Sequence, residues 1–347
     1  MPLLLSDRAV LASPLPLVTA REARLCGIRL DPAGHVRVRS GIYVPRRAYL
    51  ALRPWQRYAV RVHAFARAHP DAVLCLESAA VVHGLPSFGE ARDIHVYDPA
   101  RTRSRRFGDV CVHTSADGRA VERHGAILVT ALPDTVIDLL RVVPPAQALA
   151  IVDASISPAQ GGGSTLTQLQ DLGSAQCNGR GSARLSWAWS RADPRAESPA
   201  ESLSRAVIEW RGYEEPELQR TFHYEGALDR VDFHFRSARA IGEADGWGKY
   251  QLDEPEKAAE RLRGEKRRED RLRRHGHPFA RWELGDVWRV TPLERALNAA
   301  QVSVVAARQN AMLATLRHRP REVSSSREKP RLSAEEPRLS AEKPDRA

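Results

Sequence analysis

The sequence has few cysteines and no long uncharged apolar run. Its 347 residues include four cysteines, at positions 26, 75, 111 and 177, and no two of them form a Cys-x-x-Cys pair. This spacing excludes a zinc ribbon and gives no disulfide framework, so we expect reduced thiols. The first residues, MPLLLSDR, have no basic region before their short apolar run, unlike a signal peptide. No apolar run approaches the roughly 20 residues that span a bilayer, and we therefore expect a cytoplasmic protein without a membrane partner.

The sequence also lacks the motifs of two large groups of enzymes. It contains no Gly-x-x-x-x-Gly-Lys loop that cradles phosphates and no Gly-x-Ser-x-Gly nucleophile elbow. The run of three glycines from Gly161 is not followed by Lys and Ser or Thr, so it is interpreted as a linker. A small-molecule enzyme is therefore the least supported class of function.

Acidic residues are outnumbered by basic ones. The chain has 53 Lys and Arg against 43 Asp and Glu, which gives a formal net charge of +10. This excess favours a polyanionic partner such as DNA, because Lys and Arg that neutralise phosphates release condensed counterions. The alternative is a soluble, Arg-rich protein without such a partner.

Residues 1–50 are predicted to form a winged-helix-like DNA-binding region. Thr19 is placed to cap a short helix, with Glu22 at the third helical position. A hairpin follows, and its alternation puts Arg37 and Arg39 on one face, where the wing of a winged helix contacts phosphate. The alternative is an ordinary small α+β subdomain with solvated arginines.

The remaining chain is predicted to form an α/β and α+β multi-domain protein. Residues 51–157 alternate between helix and strand, and His83 and His95 are interpreted there as structural residues. A Pro- and Gly-rich break precedes a helical connector at 158–195, and a further domain covers 196–318. Residues 319–347 contain a repeated PRLSAE segment, and their low hydrophobicity predicts a disordered tail.

Three carboxylates are predicted to converge in the third domain. Two strands with alternating apolar residues are joined by a turn around Ser237 and Ala238, in a register that places Asp232 opposite Glu243. Their Cβ atoms would then lie about 5 Å apart, and Asp245 shares the face of Glu243. Hard oxygen ligands in this number suit Mg²⁺ or Mn²⁺. The alternative is that the acids are solvated or paired with basic residues, namely Arg230, Arg239 and Lys249.

Four segments in this domain carry a family resemblance. AESPAESL from Ala196, RVDF from Arg230, GEADGWGKY from Gly242 and EKRREDRLRRHGH from Glu265 occur in this order. Together they resemble the very-short-patch-repair-like branch of the PD-(D/E)XK nuclease superfamily, over residues 196–288. The resemblance implies a restriction-endonuclease-like α/β domain with a mixed central sheet. Its pattern is a helix with a glutamate, a strand hairpin with the acidic pair, a basic helix and a final strand.

The resemblance also implies catalytic residues. Glu201 matches the helix glutamate, Asp232 the first strand acid, and Glu243 with Asp245 the Glu-x-Asp-Gly motif. In the family, such acids hold one or two metal ions that activate water. This sequence departs from the pattern at Asp245, where the superfamily usually has a lysine. Lys249 and Lys266 are the candidates to replace that lysine, and Lys249 is assigned to the catalytic set.

A basic helix is predicted from about residue 256 to residue 275. Its basic surplus indicates contact with a phosphate backbone through four residues, Lys266, Arg267, Arg268 and Arg271. The alternative is a solvated helical face without a partner.

The first half of the chain carries a second resemblance. VRSGIYVP from Val38, ESAAVVHGLP from Glu77 and VTALPDTVIDL from Val129 resemble AbiEi-like antitoxins of type IV toxin–antitoxin systems. That resemblance spans residues 17–154 and implies an N-terminal winged helix that binds promoter DNA. Two functions follow as expectations: a DNA-binding, metal-dependent endonuclease, or an antitoxin-like transcriptional repressor with an inactive nuclease-like domain. A cognate toxin is not identified by the sequence.

Overall fold

The computed structural model describes residues 3–245 and 255–323, which form two compact units. Of the described residues, the N-terminal unit comprises Ser6–Leu139, Asp171–Arg180 and residues 320–323. The C-terminal unit comprises the residues up to Leu5 together with Leu140–Gln170 and Gly181–Arg319. Both units mix helices and strands, so the predicted mixed α/β multi-domain class is confirmed. The five-part division of the chain stays a prediction.

The chain up to residue 142 alternates short helices and strands. The described helices are α1 (Leu5–Arg8), α2 (Ala20–Leu25), α3 (Arg46–Ala51), α4 (Pro54–Ala68), α5 (Leu76–His83) and α6 (Leu132–Val142). The strands are β1 (Val18–Thr19), β2 (His35–Arg39), β3 (Ile42–Pro45), β4 (Val73–Leu74), β5 (Ile94–Tyr97), β6 (Arg105–Phe107), β7 (Val110–His113), β8 (Val121–His124) and β9 (Ile127–Thr130).

Local sequence signals explain the ends of these helices. Thr19 and Glu22 form the predicted capping box at the start of α2. Gly84 ends α5 in the left-handed region with a φ of 71°, which glycine adopts without strain.

Two sheets organise the N-terminal unit. Strands β1, β3 and β2 form an antiparallel sheet, in which the register between β2 and β3 shifts between Arg37 and Arg39. The second sheet is mixed and has the order β6-β7-β5-β4-β9-β8, so β8 is an edge strand. Helices α4 and α5 pack on this sheet around a buried cluster that includes Phe65, Leu74 and Ile94.

A buried ion network lies in the same unit. Arg321 donates to the carboxylate of Glu77, with 2.7 Å between Nη2 and Oε2. Burial raises the pKa of Glu77, but His95 and Arg321 lower it by more, to about 2. Burial lowers the pKa of His95 to about 4, so Arg321 is the cation that faces Glu77 at neutral pH. The sequence predicts disorder for residues 319–347, but residues 320–323 are placed against this unit by backbone hydrogen bonds. Residues 324–347 lie outside the described residues.

Most of the C-terminal unit comes from the chain between residues 145 and 319, apart from Asp171–Arg180. Its described helices are α7 (Pro145–Ile156), α8 (Leu166–Ala175), α9 (Ser182–Trp189), α10 (Pro199–Arg211), α11 (Pro255–Arg274), α12 (Leu284–Arg289), α13 (Thr291–Ala299) and α14 (Asn310–Ala314). Its strands are β10 (Glu217–Tyr224), β11 (Ala227–Phe235), β12 (Ala240–Asp245) and β13 (Phe279–Glu283). They form one sheet in this order, antiparallel from β10 to β12 and parallel between β12 and β13.

The core of the C-terminal unit packs tightly around the hairpin of β11 and β12. Trp282 is buried, and its indole N–H donates to Ser204 Oγ at 2.8 Å, which joins β13 to α10. Gly242 leaves room for this indole ring, because a Cβ atom there would lie only 2.6 Å from Trp282 Cη2. A larger residue at Gly242 would therefore push the ring or the strand out of place. Among the helices that the structure describes, none is long and apolar enough to cross a membrane.

Candidate carboxylate site

The hairpin of β11 and β12 has the register predicted from the sequence. Phe233 pairs with Gly242 and Phe235 with Ala240, across a four-residue turn at 236–239. A symmetric loop of this length keeps the register that a two-residue turn would give, so Asp232 continues toward Glu243.

Beyond these pairs, Asp232 bonds to the neighbouring strand through its side chain. The backbone N–H of Ala244 donates to Asp232 Oδ2 at 3.0 Å. Ala244 lies between Glu243 and Asp245 in the chain. The hairpin therefore brings the carboxylate of Asp232 to the segment of β12 that carries the other two predicted acids.

Glu201 enters the site from the first turn of α10. Ser198 caps this helix by accepting a hydrogen bond from the backbone N–H of Glu201, at 3.2 Å. The Glu201 carboxylate accepts three hydrogen bonds in return, from Ser198 Oγ at 2.8 Å, Glu197 N at 3.0 Å and Gln219 Nε2 at 2.9 Å. These bonds hold the buried carboxylate in a fixed orientation.

The electrostatics of Glu201 link it to Asp232. Burial raises the pKa of Glu201 well above its usual range, and the negative charge of Asp232 raises it further, against the effect of the three hydrogen bonds. Two acids from different elements, α10 and β11, therefore repel each other. A divalent cation between them would remove this repulsion, since a bound cation is the largest local charge in such a site.

Glu243 lies at the most buried point of the site. It is only 2% exposed, and Arg268 Nη2 donates to its Oε2 at 3.0 Å. The same guanidinium donates through Nη1 to the backbone oxygen of Arg230 at 2.6 Å. Burial lowers the pKa of Arg268, but the charges of Glu243 and Asp232 raise it by more. Arg268 therefore stands as a fixed cation among the acids.

The other residues of the predicted catalytic set lie at or beyond the end of β12. Asp245 is the last residue of β12, and its Oδ2 is 3.8 Å from Arg281 Nε. Lys249 lies outside the described residues. Of the cations expected to pair with these acids, Arg230 instead pairs with Glu197, and Arg239 donates to the backbone oxygen of His275. The cations at Glu243 and Asp245 are Arg268 and Arg281.

The basic residues of α11 divide into two groups. Lys266 and Arg267 are exposed on the helix surface. Arg268 bonds to Glu243, and Arg271 forms a bidentate pair with Asp229 at 2.6 and 2.7 Å. Lys266 and Arg267 are thus the two of the four predicted DNA contacts that face solvent.

The two arginines of the β2–β3 hairpin also differ in their surroundings. Arg37 is exposed, whereas Arg39 is buried and forms a bidentate pair with Asp109 at 2.7 and 3.1 Å. The register shift between them breaks the alternation that places both side chains on one face. Arg37 is therefore the hairpin arginine that faces solvent.

Four carboxylates contribute to this site. Glu201, Asp232 and Glu243 come from α10, β11 and β12, and Asp245 extends the same edge of β12. Sequence reasoning missed three contributors, Ser198, Gln219 and the inward role of Arg268. The Ser-Pro-x-Glu start of α10 is a capping signal that identifies Ser198, whereas the bond from Gln219 depends on strand β10, for which the sequence analysis has no signal.

Comparisons with known proteins identify relatives without a described function. The chain is 29% identical over 217 residues to two uncharacterized proteins of Mycobacterium tuberculosis, from strains CDC 1551 / Oshkosh and ATCC 25618 / H37Rv. The match covers 62% of this chain and 75% of each relative. No protein-family model matches the chain, and no solved structure matches it.

Proposed function

We propose that the C-terminal unit is a metal-dependent DNA endonuclease domain that hydrolyses phosphodiester bonds in the cytoplasm. The observation that carries the proposal is that the side chain of Asp232 on β11 bonds to β12 beside Glu243 and acts electrostatically on Glu201 of α10. The order of α10, β11, β12, α11 and β13 agrees with the pattern of the PD-(D/E)XK resemblance, which supports a restriction-endonuclease-like fold. A fold alone does not define an activity, so the proposal depends on these residues.

The protein's own residues have distinct roles in this proposal. Asp232, Glu243 and Asp245 would hold Mg²⁺ or Mn²⁺, and Glu201 would bind a water at the edge of the site. The bound metal would supply a water of lowered pKa and would neutralise charge on the scissile phosphate. Arg268 holds Glu243 in place, and Lys249 or Lys266 would take the role of the superfamily's lysine.

DNA would be held by the exposed basic residues. Lys266 and Arg267 are exposed on α11, so they would contact the DNA backbone from the solvent side of this helix. In the N-terminal unit, the β2–β3 hairpin with Arg37 supports a winged-helix-like contact to phosphate.

Nicking of supercoiled plasmid tests this proposal. The wild type should nick plasmid or cut single-stranded DNA with Mg²⁺ or Mn²⁺, and EDTA should stop the reaction. Asp232→Asn and Glu243→Gln should each lower the rate at least a hundredfold. Glu225→Gln is the matched control, because Glu225 is an exposed acid on the turn between β10 and β11. Nicking that survives both site variants would exclude the proposed site.

The second candidate is an antitoxin-like repressor with an inactive nuclease-like domain. It is favoured by the aspartate at position 245 in place of lysine and by the ion pair between Arg268 and Glu243. Under this alternative the wild type would shift DNA in a gel without nicking it, and Arg37→Ala would flatten the salt dependence of binding. A cognate toxin belongs to this alternative alone.

A further inference from the structure

A second group of metal-ligating side chains lies in the N-terminal unit. His83 is the last residue of α5, and Glu122 and His124 lie two residues apart on the edge strand β8. One ligand atom from each of the three side chains lies within 4.8 Å of the others. Residues two apart on a strand share a face, so both β8 residues point toward His83.

One distance within this group matches the ligand spacing of a tetrahedral metal centre. Glu122 Oε2 lies 3.3 Å from His124 Nε2, and the rings of His83 and His124 meet edge to face with centroids 5.3 Å apart. Ligands bonded to Zn²⁺ at about 2.0–2.1 Å in a tetrahedron stand about 3.3 Å from one another. The pair on β8 therefore has the spacing that one ion would need.

A hydrogen bond orients the His83 ring. Its Nε2 lies 2.8 Å from the backbone oxygen of Thr130. A carbonyl oxygen only accepts, so Nε2 carries the proton and Nδ1 keeps its lone pair. Histidines that bind metals characteristically donate their other ring N–H to a backbone carbonyl or carboxylate in this way, which fixes the tautomer.

The three side chains of this group differ in their exposure to solvent. His83 is 8% exposed, whereas the side chains of Glu122 and His124 are 44% and 32% exposed. An ion can therefore reach the group from solvent, and water can occupy the remaining coordination position.

We propose that His83, Glu122 and His124 form a Zn²⁺ site with a fourth position open to water. Two imidazoles and one carboxylate are ligands that zinc accepts, and three protein ligands with one open position are typical of an exchangeable site. Because the ligands come from α5 and the edge strand β8, the ion would tie that edge to the helix and stabilise the N-terminal unit. This site is independent of the carboxylate site in the C-terminal unit.

Zinc titration of the full-length protein tests this inference. After treatment with EDTA, the protein competes for Zn²⁺ with a chromophoric chelator, and we expect one equivalent to bind. His124→Gln and Glu122→Gln should each weaken binding at least tenfold. Both side chains are partly exposed, so the fold should survive, and circular dichroism of the metal-free variants checks this.

Two control variants locate the ion. His223→Gln alters an exposed histidine of strand β10, and Asp232→Asn alters the carboxylate site. Both should bind Zn²⁺ like the wild type, and Co²⁺ should give the intense visible bands of a tetrahedral site only while His124 is present. Wild-type affinity in both β8 variants, or loss of the ion in Asp232→Asn, would overturn the inference.

Discussion

Replacement of Arg268 tests how the buried carboxylates are compensated. Glu243 is 2% exposed, and Arg268 Nη2 bonds to it at 3.0 Å, while the Arg268 side chain is 26% exposed. Removal of one partner from a buried pair typically costs 3–5 kcal/mol, because the other charge stays buried. The partial exposure of Arg268 favours the lower end of that range. We therefore expect Arg268→Gln to lower the free energy of unfolding of the C-terminal unit by about 3 kcal/mol.

The assay is urea unfolding followed by tryptophan fluorescence. Trp210 and Trp282 are buried in the C-terminal unit, so their emission reports its unfolding. The double variant of Arg268→Gln with Glu243→Gln should be more stable than the sum of the single losses predicts, because neither partner of this pair is then left as an uncompensated charge. Addition of Mn²⁺ at about a hundred times its dissociation constant should raise the free energy of unfolding of Arg268→Gln by about 3 kcal/mol. The reasoning would be refuted if Arg268→Gln lost less than about 1 kcal/mol and the losses of the two single variants added up to the loss of the double variant.

Three further predictions concern stability and thiol reactivity. Glu77→Gln should cost about 3 kcal/mol at pH 7, because it leaves Arg321 without its carboxylate partner in a buried pair. Folding lowers the pKa of Glu77 from 4.5 to about 2. Because the folded pKa is lowered, this loss should fall away between about pH 4.5 and pH 2, as measured by unfolding at each pH. Gly242→Ala should lower the free energy of unfolding, measured with urea, by about 1–3 kcal/mol through overpacking. Gly264→Ala is the control and should cause no such loss, because a Cβ atom there meets open space. At pH 8 a thiol reagent should modify the exposed Cys26 quickly, whereas burial raises the pKa of Cys75 and should delay its reaction until the protein unfolds.

Much of the secondary structure follows from local sequence signals. The capping pair of Thr19 and Glu22 defines the start of α2, and Gly84 defines the end of α5. The register of the β11–β12 hairpin follows from its alternation and symmetric loop, which is why Asp232 and Glu243 could be placed together in advance. These features depend on residues close in sequence, so one chain is sufficient to predict them.

Features that depend on distant contacts were not predictable in this way. Arg39 is buried because of a register shift and a partner at Asp109, 70 residues away in sequence. Arg268 is an exception, because its inward position has a local signal: it lies one turn before the buried Leu272 on the same face of α11. The approach of His83 to strand β8 had none, because it requires the strand order of the six-stranded sheet.

The claim that the carboxylates hold a divalent cation is tested most directly by Mn²⁺ titration with electron paramagnetic resonance. Loss of the free Mn²⁺ signal on addition of protein measures binding without any assumption about activity. With His124→Gln as the background, which removes the second metal site, we predict that one Mn²⁺ binds and that Asp232→Asn and Glu243→Gln each weaken it at least tenfold. Binding that is absent, or unchanged in both variants, would contradict the account.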